Sequence, residues 1–270
     1  MLAKENAMYG VAAALVLTMV GLTGAGCMFD EDVGIETYEI VNGSIDPGHP
    51  AVGLVFPSGC TGTLIGSRTV LTAAHCMSTA TSEFQLGNTI RSGQVIKHPN
   101  SHPDSADYDV AIVRLEAPIS GVLPAALSFE APGQGQLITL VGFGAINGSG
   151  DGYGTKRYGT NTIDSVQSRT FKFSGTTGSE SATCHGDSGG PAYNFRNQNC
   201  IIGTTWGGPP SCSGNGTWTH TRVDVFRDWI SQNAGETLPA YCDPTPPYCG
   251  NGICEPGERD YGCRVDCGWR

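Results

Sequence analysis

The sequence predicts an all-β protein built from many short strands. Only 15% of its 270 residues are charged, whereas it contains 39 glycines and 16 prolines, a composition typical of loop-rich β proteins. Short apolar runs rich in β-branched residues are bounded by Gly, Pro, Asn or Ser, which is the pattern of strands that end in turns. These runs cover 51–56, 62–74, 109–115, 136–145 and 200–207. Many such strands with little helical periodicity predict a sandwich or barrels.

The first 27 residues have the layout of a leader rather than of the folded protein. The apolar stretch 11–20 follows Lys4, precedes small residues and is short for a membrane span, as in secretory leaders. The stretch LTGAGC, which ends at Cys27, resembles a bacterial lipobox, in which the cysteine is lipidated; an ordinary cleavage site beside an incidental cysteine is the alternative. We therefore predict a signal or lipoprotein leader over 1–27, with Cys27 as a candidate lipid anchor.

An acidic segment follows over 28–39, and it carries half of the net charge. The segment contains five acidic residues and no basic one, and Lys4 and Glu5 cancel, so the net charge of −10 leaves −5 for 40–270. A weakly acidic surface argues against a nucleic-acid partner. The eleven cysteines predict an oxidising compartment, and setting Cys27 aside leaves an even ten for disulfides.

The C-terminal third contains a predicted helix, a linker and a cysteine-rich module, which differ in composition. A helix is expected at Val223–Asn233, where Val225, Trp229 and Ile230 share a face and Gly235 follows as a stop signal. The stretch 236–248 is a proline-rich linker. Residues 249–270 form a module with four cysteines, too small to bury a core without cross-links.

One serine has the surroundings of a nucleophile. Ser188 lies in CHGDSGGP (184–191), and a serine hydroxyl needs a base to take its proton and an acid to orient that base. His75 in TAAHC (72–76) and Asp109 at the start of DVAIVRL (109–115) are candidates for these roles. The glycines around Ser188 allow a tight turn, in which the amides of Gly186 and Ser188 would form an oxyanion hole.

Together these motifs resemble the chymotrypsin/trypsin family of serine endopeptidases. IVNG (40–43), GTLIGSRTVLTAAHC (62–76), TTWG (204–207) and TRV (221–223) also match, in the family's order. The resemblance covers about residues 40–233. It implies two six-stranded antiparallel β-barrels with a C-terminal helix and a small disulfide-rich tail, with the protease domain at 40–235.

The resemblance also implies roles for individual residues. Ser188 would be the nucleophile, His75 the general base and then acid, and Asp109 its orienting partner. Thr205, Trp206 and Gly207 would pair with the substrate backbone as an added strand. The disulfides that match the family are Cys60–Cys76 and Cys184–Cys212. We pair the leftover cysteines, Cys200 and Cys242, with each other.

The resemblance further implies activation by cleavage before Ile40. The freed amine of Ile40 would bury itself against Asp187, because a buried carboxylate needs a charged or hydrogen-bonding partner. The residue before the cut is Glu39, not Arg or Lys, which argues against trypsin-like self-activation.

The resemblance also implies that three residues line the primary substrate pocket of the family. Ala182 falls at its base, where an acid would select Arg or Lys, and Gly207 leaves its entrance open. Trp218 falls on the opposite wall, where its indole would fill much of the pocket; a Trp218 that packs outside the pocket is the alternative. We therefore predict a preference for small or medium apolar residues, as in elastase, rather than basic ones.

The cysteine-rich module resembles short modules appended to secreted bacterial proteins. Its oxygen-bearing side chains could bind Ca²⁺, although a disulfide-stapled module with solvated acids, or a zinc site, would use the same residues. The candidate Ca²⁺ ligands are Asn251, Glu255, Glu258, Asp260 and Asp266. The reaction itself calls for no metal or other cofactor.

The sequence as a whole predicts a secreted serine endopeptidase that cleaves proteins or peptides through an acyl-enzyme. We expect a monomer, secreted or anchored on the extracytoplasmic side of a bacterial envelope. A catalytically silent binding or adhesion protein with the same fold is the alternative. A lipase-like esterase is disfavoured, because that class places its histidine last in chain order, whereas His75 comes first.

Overall fold

The computed structural model describes residues 40–175, 180–213 and 216–242. Its first part is a closed six-stranded antiparallel barrel with the strand order β2-β3-β4-β7-β6-β5. These strands are β2 (Val52–Phe56), β3 (Cys60–Leu64), β4 (Thr69–Thr72), β5 (Thr81–Leu86), β6 (Thr89–Lys97) and β7 (Ala111–Leu115). The apolar side chains of β4 and β7 are almost all buried, so the barrel interior is a packed core.

The second part is a nine-stranded sheet with the order β1-β10-β9-β13-β14-β15-β12-β11 and with β8 parallel to β14. Its strands are β1 (Ser44–Ile45), β8 (Ala126–Leu127), β9 (Leu137–Gly142), β10 (Arg157–Thr162), β11 (Ser165–Val166), β12 (Thr170–Ser174), β13 (Pro191–Asn194), β14 (Asn197–Gly207) and β15 (Thr217–Arg222). Ile138, Leu140, Phe171, Phe173 and Trp218 form its core, with almost no exposed surface.

The predicted fold class is therefore confirmed, with one correction to the second barrel. A six-stranded closed barrel was expected there, but within the described residues the sheet has nine strands and its end strands do not pair. Those end strands, β1 and β11, are only two residues long and partly exposed, so neither offers a regular edge for closure.

The C-terminal helix exists but is shorter than predicted. Helix α1 spans Arg227–Ala234 and ends at Gly235, whose φ of 77° is the left-handed conformation that terminates helices. Val223–Phe226 form a turn instead, in which the Phe226 amide donates to the Val223 carbonyl. Val225 consequently points to solvent with 41% exposure, whereas Ile230 is buried against the first barrel.

Three disulfides cross-link the described residues. Cys60–Cys76 joins β3 to the segment after β4, and Cys184–Cys212 joins the segments before β13 and before β15. Cys200–Cys242 ties the end of the described chain to β14, and the Cys242 amide donates to the Leu127 carbonyl. All three expected pairings are formed.

Several predicted segments lie outside the described residues. They are the leader with Cys27, the acidic segment 28–39, linker residues 243–248 and the cysteine-rich module with its candidate Ca²⁺ ligands. Among the helices that the structure does describe, none has the length and apolar character needed to cross a membrane.

Candidate active site

His75 and Asp109 meet because of the register of β4 and β7. Thr72 at the end of β4 pairs with Ala111 at the start of β7, so the residues just after β4 lie beside those just before β7. His75 lies there in a single 3₁₀ turn, Ala74–Cys76, that the Cys60–Cys76 disulfide ties to β3.

Both carboxylate oxygens of Asp109 are occupied by His75. His75 Nδ1 lies 2.8 Å from Oδ2, and the His75 backbone amide donates to Oδ1 at 2.7 Å. Asp109 is 1% exposed, and a buried carboxylate in this position favours the tautomer with its proton on Nδ1. The lone pair of Nε2 is then available to accept a proton.

Residues 185–189, here called the Ser188 turn, pack against the segment that leads to His75. The Thr61 amide donates to the Ser188 carbonyl at 2.9 Å, and the Thr72 hydroxyl donates to the Thr61 carbonyl at 2.9 Å. Gly189 adopts a φ of +78°, and a methyl group there would lie 2.7 Å from the Ala73 amide nitrogen. These contacts place the Ser188 turn beside the segment of the first barrel that carries His75.

Within the described part of the chain, no hydrogen bond joins the Ser188 hydroxyl to the His75 ring. His75 Nε2 instead lies 3.7 Å from Cys76 Sγ, and the His75 side chain is 22% exposed. Catalytic hydrogen bonds are often long in unliganded sites and shorten when substrate is bound. The site thus has two of its three side chains in hydrogen-bonding contact.

Gly186 forms the turn that would hold an oxyanion. Its φ is +98°, its carbonyl accepts from the Thr61 hydroxyl at 2.8 Å, and the preceding His185 carbonyl accepts from the Ala145 amide at 2.8 Å. Among the described residues, the amides of Gly186 and Ser188 have no protein acceptor. Both amides are therefore available to a ligand oxygen.

Asp187 lies next to Ser188 in sequence but has different partners from Asp109. It is 1% exposed, and its two carboxylate oxygens accept from the amides of Gly144 at 2.7 Å and Cys184 at 2.8 Å. Burial raises the pKa of Asp187 to about 6, although both amides and the charge of Arg157 act to lower it. The carboxylate has no part in the His75–Asp109 pair.

Ile40 is fully buried in the core of the second sheet. The neighbouring Val41 forms an isolated bridge with Ala182, whose amide donates to the Val41 carbonyl at 3.1 Å. The start of the described chain is thus attached to the segment that leads to Asp187 and Ser188.

Trp218 is enclosed between two segments of the second sheet. Its side chain is fully buried, its Nε1 donates to the Thr183 carbonyl at 2.8 Å, and its ring stacks on Phe173 with the ring centres 6.0 Å apart. On its other side the indole contacts Gly208. The indole thus occupies the space between Thr183, which follows Ala182, and Gly208, which follows Gly207.

The remaining predicted substrate residues lie at the end of β14. Thr205 is 2% exposed, and its hydroxyl lies 3.0 Å from His220 Nε2; Trp206 and Gly207 are partly exposed. The Gly189 amide donates to the Thr205 carbonyl at 2.8 Å, so this end of β14 is fixed beside the Ser188 turn.

Sequence reasoning missed three residues that shape the site. Thr61 contacts the turn at Gly186 and Ser188, Tyr153 covers Gly186, and His220 lies under Thr205. Thr61 follows a disulfide cysteine and could have been suspected on that ground. Tyr153 and His220 carry no local signal, because loop folding and strand pairing bring them to the site.

Two clusters of histidine and cysteine side chains occur near the site, but their sulfur atoms are in disulfides. They are Cys60, His75 and Cys76, and Cys184, His185 and Cys212. A cysteine binds a metal ion as a thiolate, which these sulfur atoms are not while the disulfides are intact.

Comparisons with known proteins show the family to which the chain belongs. The family model described as Trypsin matches residues 40–230. The thrombin-like enzyme BjussuSP-1 of Bothrops jararacussu is 26% identical over 227 residues, covering 73% of this chain and 95% of its own. The venom plasminogen activator Haly-PA of Gloydius brevicauda is 27% identical over 215 residues, which are 68% of this chain and 81% of that protein. The solved structure of neuropsin, a serine protease of mouse brain, has a TM-score of 0.60 at 25% identity and covers 68% and 94%.

Proposed function

Because this chain belongs to the trypsin family of serine proteases and is a serine endopeptidase, we propose that His75, Asp109 and Ser188 carry out its reaction on protein or peptide substrates. The observation that supports these roles most directly is the 2.8 Å contact between His75 Nδ1 and the buried Asp109 carboxylate. The packing of the Ser188 turn against residues 61, 72 and 73 supports the third role.

In the proposed mechanism Ser188 Oγ attacks the scissile carbonyl carbon while His75 Nε2 takes its proton. The carbonyl oxygen becomes an oxyanion, which accepts hydrogen bonds from the amides of Gly186 and Ser188. His75 then gives the proton to the leaving amine, and an acyl-enzyme remains on Ser188. A water molecule then attacks the acyl carbon while His75 takes its proton. His75 returns the proton to Ser188 Oγ, and the carboxylic acid product is released. Asp109 stays ionised and stabilises the imidazolium in both halves.

Activation is proposed to follow cleavage between Glu39 and Ile40. Asp187 is buried with a raised pKa, so any cation that reaches it would stabilise its ionised form. The Val41–Ala182 bridge holds the future N-terminus near the segment that leads to Asp187. The amine of Ile40 would pair with Asp187 and stabilise the neighbouring Gly186 turn. N-terminal sequencing of active protein tests this, and active protein that begins well before Ile40 would contradict it.

A preference for small or medium apolar residues at the cleavage site is proposed from Ala182 and Trp218. A fully buried indole between Thr183 and Gly208 leaves little depth for a large side chain, and Ala182 offers no charge for Arg or Lys. The two snake relatives are called a thrombin-like enzyme and a plasminogen activator, and those activities belong to them.

Secretion is the proposed localisation. Three disulfides in the described residues and venom relatives both favour an extracellular protein. The reported relatives are from snakes and mouse, so a bacterial source and anchoring through Cys27 gain no support from them. Lipidation, the monomeric state and Ca²⁺ binding by the module stay predictions.

A serine-directed fluorophosphonate tests the proposed roles. We expect one equivalent of label on processed protein, located on Ser188 by peptide mass spectrometry, and no label on Ser188→Ala. Ser211→Ala, a change at an exposed serine near the same sheet, is the matched control and should label fully. Correctly processed, folded protein that takes no label would favour the binding-protein alternative.

A further inference from the structure

The 143–156 loop between β9 and β10 contacts the Ser188 turn at several points. Its Ala145 amide donates to the His185 carbonyl, and its Gly144 amide donates to Asp187. The loop is folded on itself, because the Gly154 amide donates to the Phe143 carbonyl at 2.8 Å and the Ile146 amide to Asp151 at 2.9 Å. Its backbone is thus part of the support of the proposed oxyanion hole.

Tyr153 extends from this loop across the Gly186 turn to the first barrel. Its hydroxyl donates to the Gly59 carbonyl at 2.9 Å, next to the Cys60–Cys76 disulfide. A methyl group on Gly186 would lie 2.6 Å from Cε2 of Tyr153 and 3.1 Å from the Gly144 Cα. Gly186 is therefore enclosed between the tyrosine ring and the loop backbone.

The contacts of the loop determine which way the Gly186 amide points. A peptide group is planar and trans, so its N–H points opposite to its C=O. The His185 carbonyl is held by the Ala145 amide, and the Gly186 N–H of the same peptide is therefore directed away from the loop. Rotation of that peptide would break this bond and turn the proposed oxyanion donor away from the substrate.

The loop is attached at its two ends, where the Phe143 amide donates to the Thr61 hydroxyl and Lys156 donates to the carbonyls of residues 48 and 49, so its middle needs a further attachment to keep this position. It contains Gly144, Gly148, Gly150, Gly152 and Gly154, and glycines make alternative backbone conformations readily accessible. The hydrogen bond of Tyr153 to Gly59 ties the middle of the loop to the first barrel. Burial raises the pKa of the Tyr153 hydroxyl, so the group stays a protonated donor at neutral and mildly alkaline pH.

We propose that Tyr153 is a positioning residue for catalysis, whose ring and hydroxyl hold the 143–156 loop over Gly186 and so keep the Gly186 amide in its donating orientation. The proposal rests on the proposed function in one respect, which is that the Gly186 amide serves the oxyanion. Tyr153 acts through Gly186 and takes no part in proton transfer.

Kinetics on a peptide amide substrate test the proposal. Loss of one oxyanion donor lowers kcat by about 10²–10³-fold, which limits the effect. We expect Tyr153→Phe, which keeps the ring, to lower kcat by about five- to tenfold and Tyr153→Ala by about 30- to 100-fold, with KM within about twofold. Tyr241→Phe is the matched control, because that exposed tyrosine also makes one hydroxyl hydrogen bond, to Ser231, and should have wild-type kcat. Wild-type kcat in Tyr153→Ala would overturn the proposal.

Inhibitor binding separates positioning from substrate contact. A peptide aldehyde forms a hemiacetal with Ser188 whose oxygen uses the oxyanion hole, whereas the corresponding peptide alcohol does not. We expect Tyr153→Ala to weaken the aldehyde by the same factor as kcat and to leave the alcohol within twofold. Equal weakening of both inhibitors would show that Tyr153 contacts substrate and would overturn the positioning role.

Amide hydrogen exchange decides the question without catalysis. In a Ser188→Ala background, we expect Tyr153→Ala to speed exchange of the hydrogen-bonded Gly144 and Ala145 amides by about tenfold, and Tyr241→Phe to leave it unchanged. Unchanged exchange in Tyr153→Ala would overturn the proposal even in a chain that hydrolyses nothing. Failure of the proposed function is recognised separately, by the absence of fluorophosphonate label on wild-type protein.

Discussion

At the scale of single residues, two buried carboxylates near Ser188 have different partners. Asp109 is held by the ring and the amide of His75, whereas Asp187, adjacent to Ser188 in sequence, is held by the amides of Gly144 and Cys184. Adjacency in sequence is therefore a poor guide to the acid that orients the base. The assignment of Asp109 depended on the resemblance, and strand register supplies the physical reason.

The uncut chain should show an unusual pH dependence because of Asp187. Its folded pKa of about 6 lies above the ordinary value of 3.8. Its contribution to the free energy of unfolding is therefore full below pH 4 and is lost as pH rises through 6. Relative to Asp187→Asn, uncut wild type should gain up to about 3 kcal/mol of unfolding free energy between pH 7 and pH 4. Urea unfolding at several pH values measures this difference.

Cleavage before Ile40 should reverse that dependence. An amine beside the carboxylate would lower the pKa of Asp187, and wild type would then lose stability relative to Asp187→Asn as pH falls. The same urea series on processed protein provides the comparison. Equal slopes before and after cleavage would contradict the pairing of Ile40 with Asp187.

Trp218 should limit the size of the substrate side chain next to the cleaved bond. We expect Trp218→Ala to raise the ratio of kcat/KM for Phe over Ala substrates by at least about tenfold, because it opens the space between Thr183 and Gly208. The same change removes a fully buried indole and should cost about 3–5 kcal/mol of stability, so assays belong at low temperature.

Trp229→Ala is the control for that substitution. Trp229 is half-buried on α1 and packs against the first barrel, so its loss should reduce stability without changing the ranking of substrates. An unchanged Phe/Ala ratio in Trp218→Ala would place the indole outside the pocket, which is the alternative that the sequence left open.

At the scale of elements, the end of β4 pairs with β7 next to the site, and the start of β4 is attached to the segment that follows α1. Beyond the end of α1, Glu236 accepts hydrogen bonds from the amides of Ser67 and Arg68 and from the hydroxyls of Ser67 and Thr69, at the turn before β4. Burial alone would raise the pKa of Glu236, but these hydrogen bonds outweigh it and lower the pKa.

Glu236→Ala should therefore loosen the C-terminal segment from the first barrel. Four bonds to a partly exposed carboxylate are lost, and we expect a decrease of about 2 kcal/mol in unfolding free energy at pH 7. Because the folded pKa is lowered, the difference between wild type and variant should shrink as pH falls through the folded pKa. Calorimetry at pH 7 and at pH 3 measures both effects. A variant with wild-type stability at pH 7 would contradict this role.

The sequence predicts elements well where a local signal exists. Gly235 indicated the helix end, and the β-branched runs indicated the first-barrel strands. The helix start was wrong, because residues 223–226 form a turn that buries Val223 and Phe226, and no strong capping residue marks the boundary. The position of Tyr153 over Gly186 could not be predicted, since it depends on how a glycine-rich loop folds between the second sheet and the first barrel.

At the scale of the whole molecule, the candidate site is assembled from two sheets that are separate in sequence. The first barrel supplies His75, Asp109 and Thr61, and the second sheet supplies the Ser188 turn and the end of β14. Because the site residues come from separate segments, each motif alone was weak evidence for a protease. The order of all the motifs along the chain was much stronger evidence. This division also explains the value of contacts such as Tyr153–Gly59, which join the two parts.

The central claim is that His75, Asp109 and Ser188 act together in peptide-bond hydrolysis, and the rate of cleavage of an unfolded protein such as reduced casein tests it most directly. Processed wild type should cleave it, Ser188→Ala and His75→Ala should each lose about 10⁶-fold in kcat, the double variant should lose no more than either alone, and Asp109→Asn should lose about 10⁴-fold. Cleavage at the wild-type rate by folded Ser188→Ala, or losses that multiply in the double variant, would contradict the account.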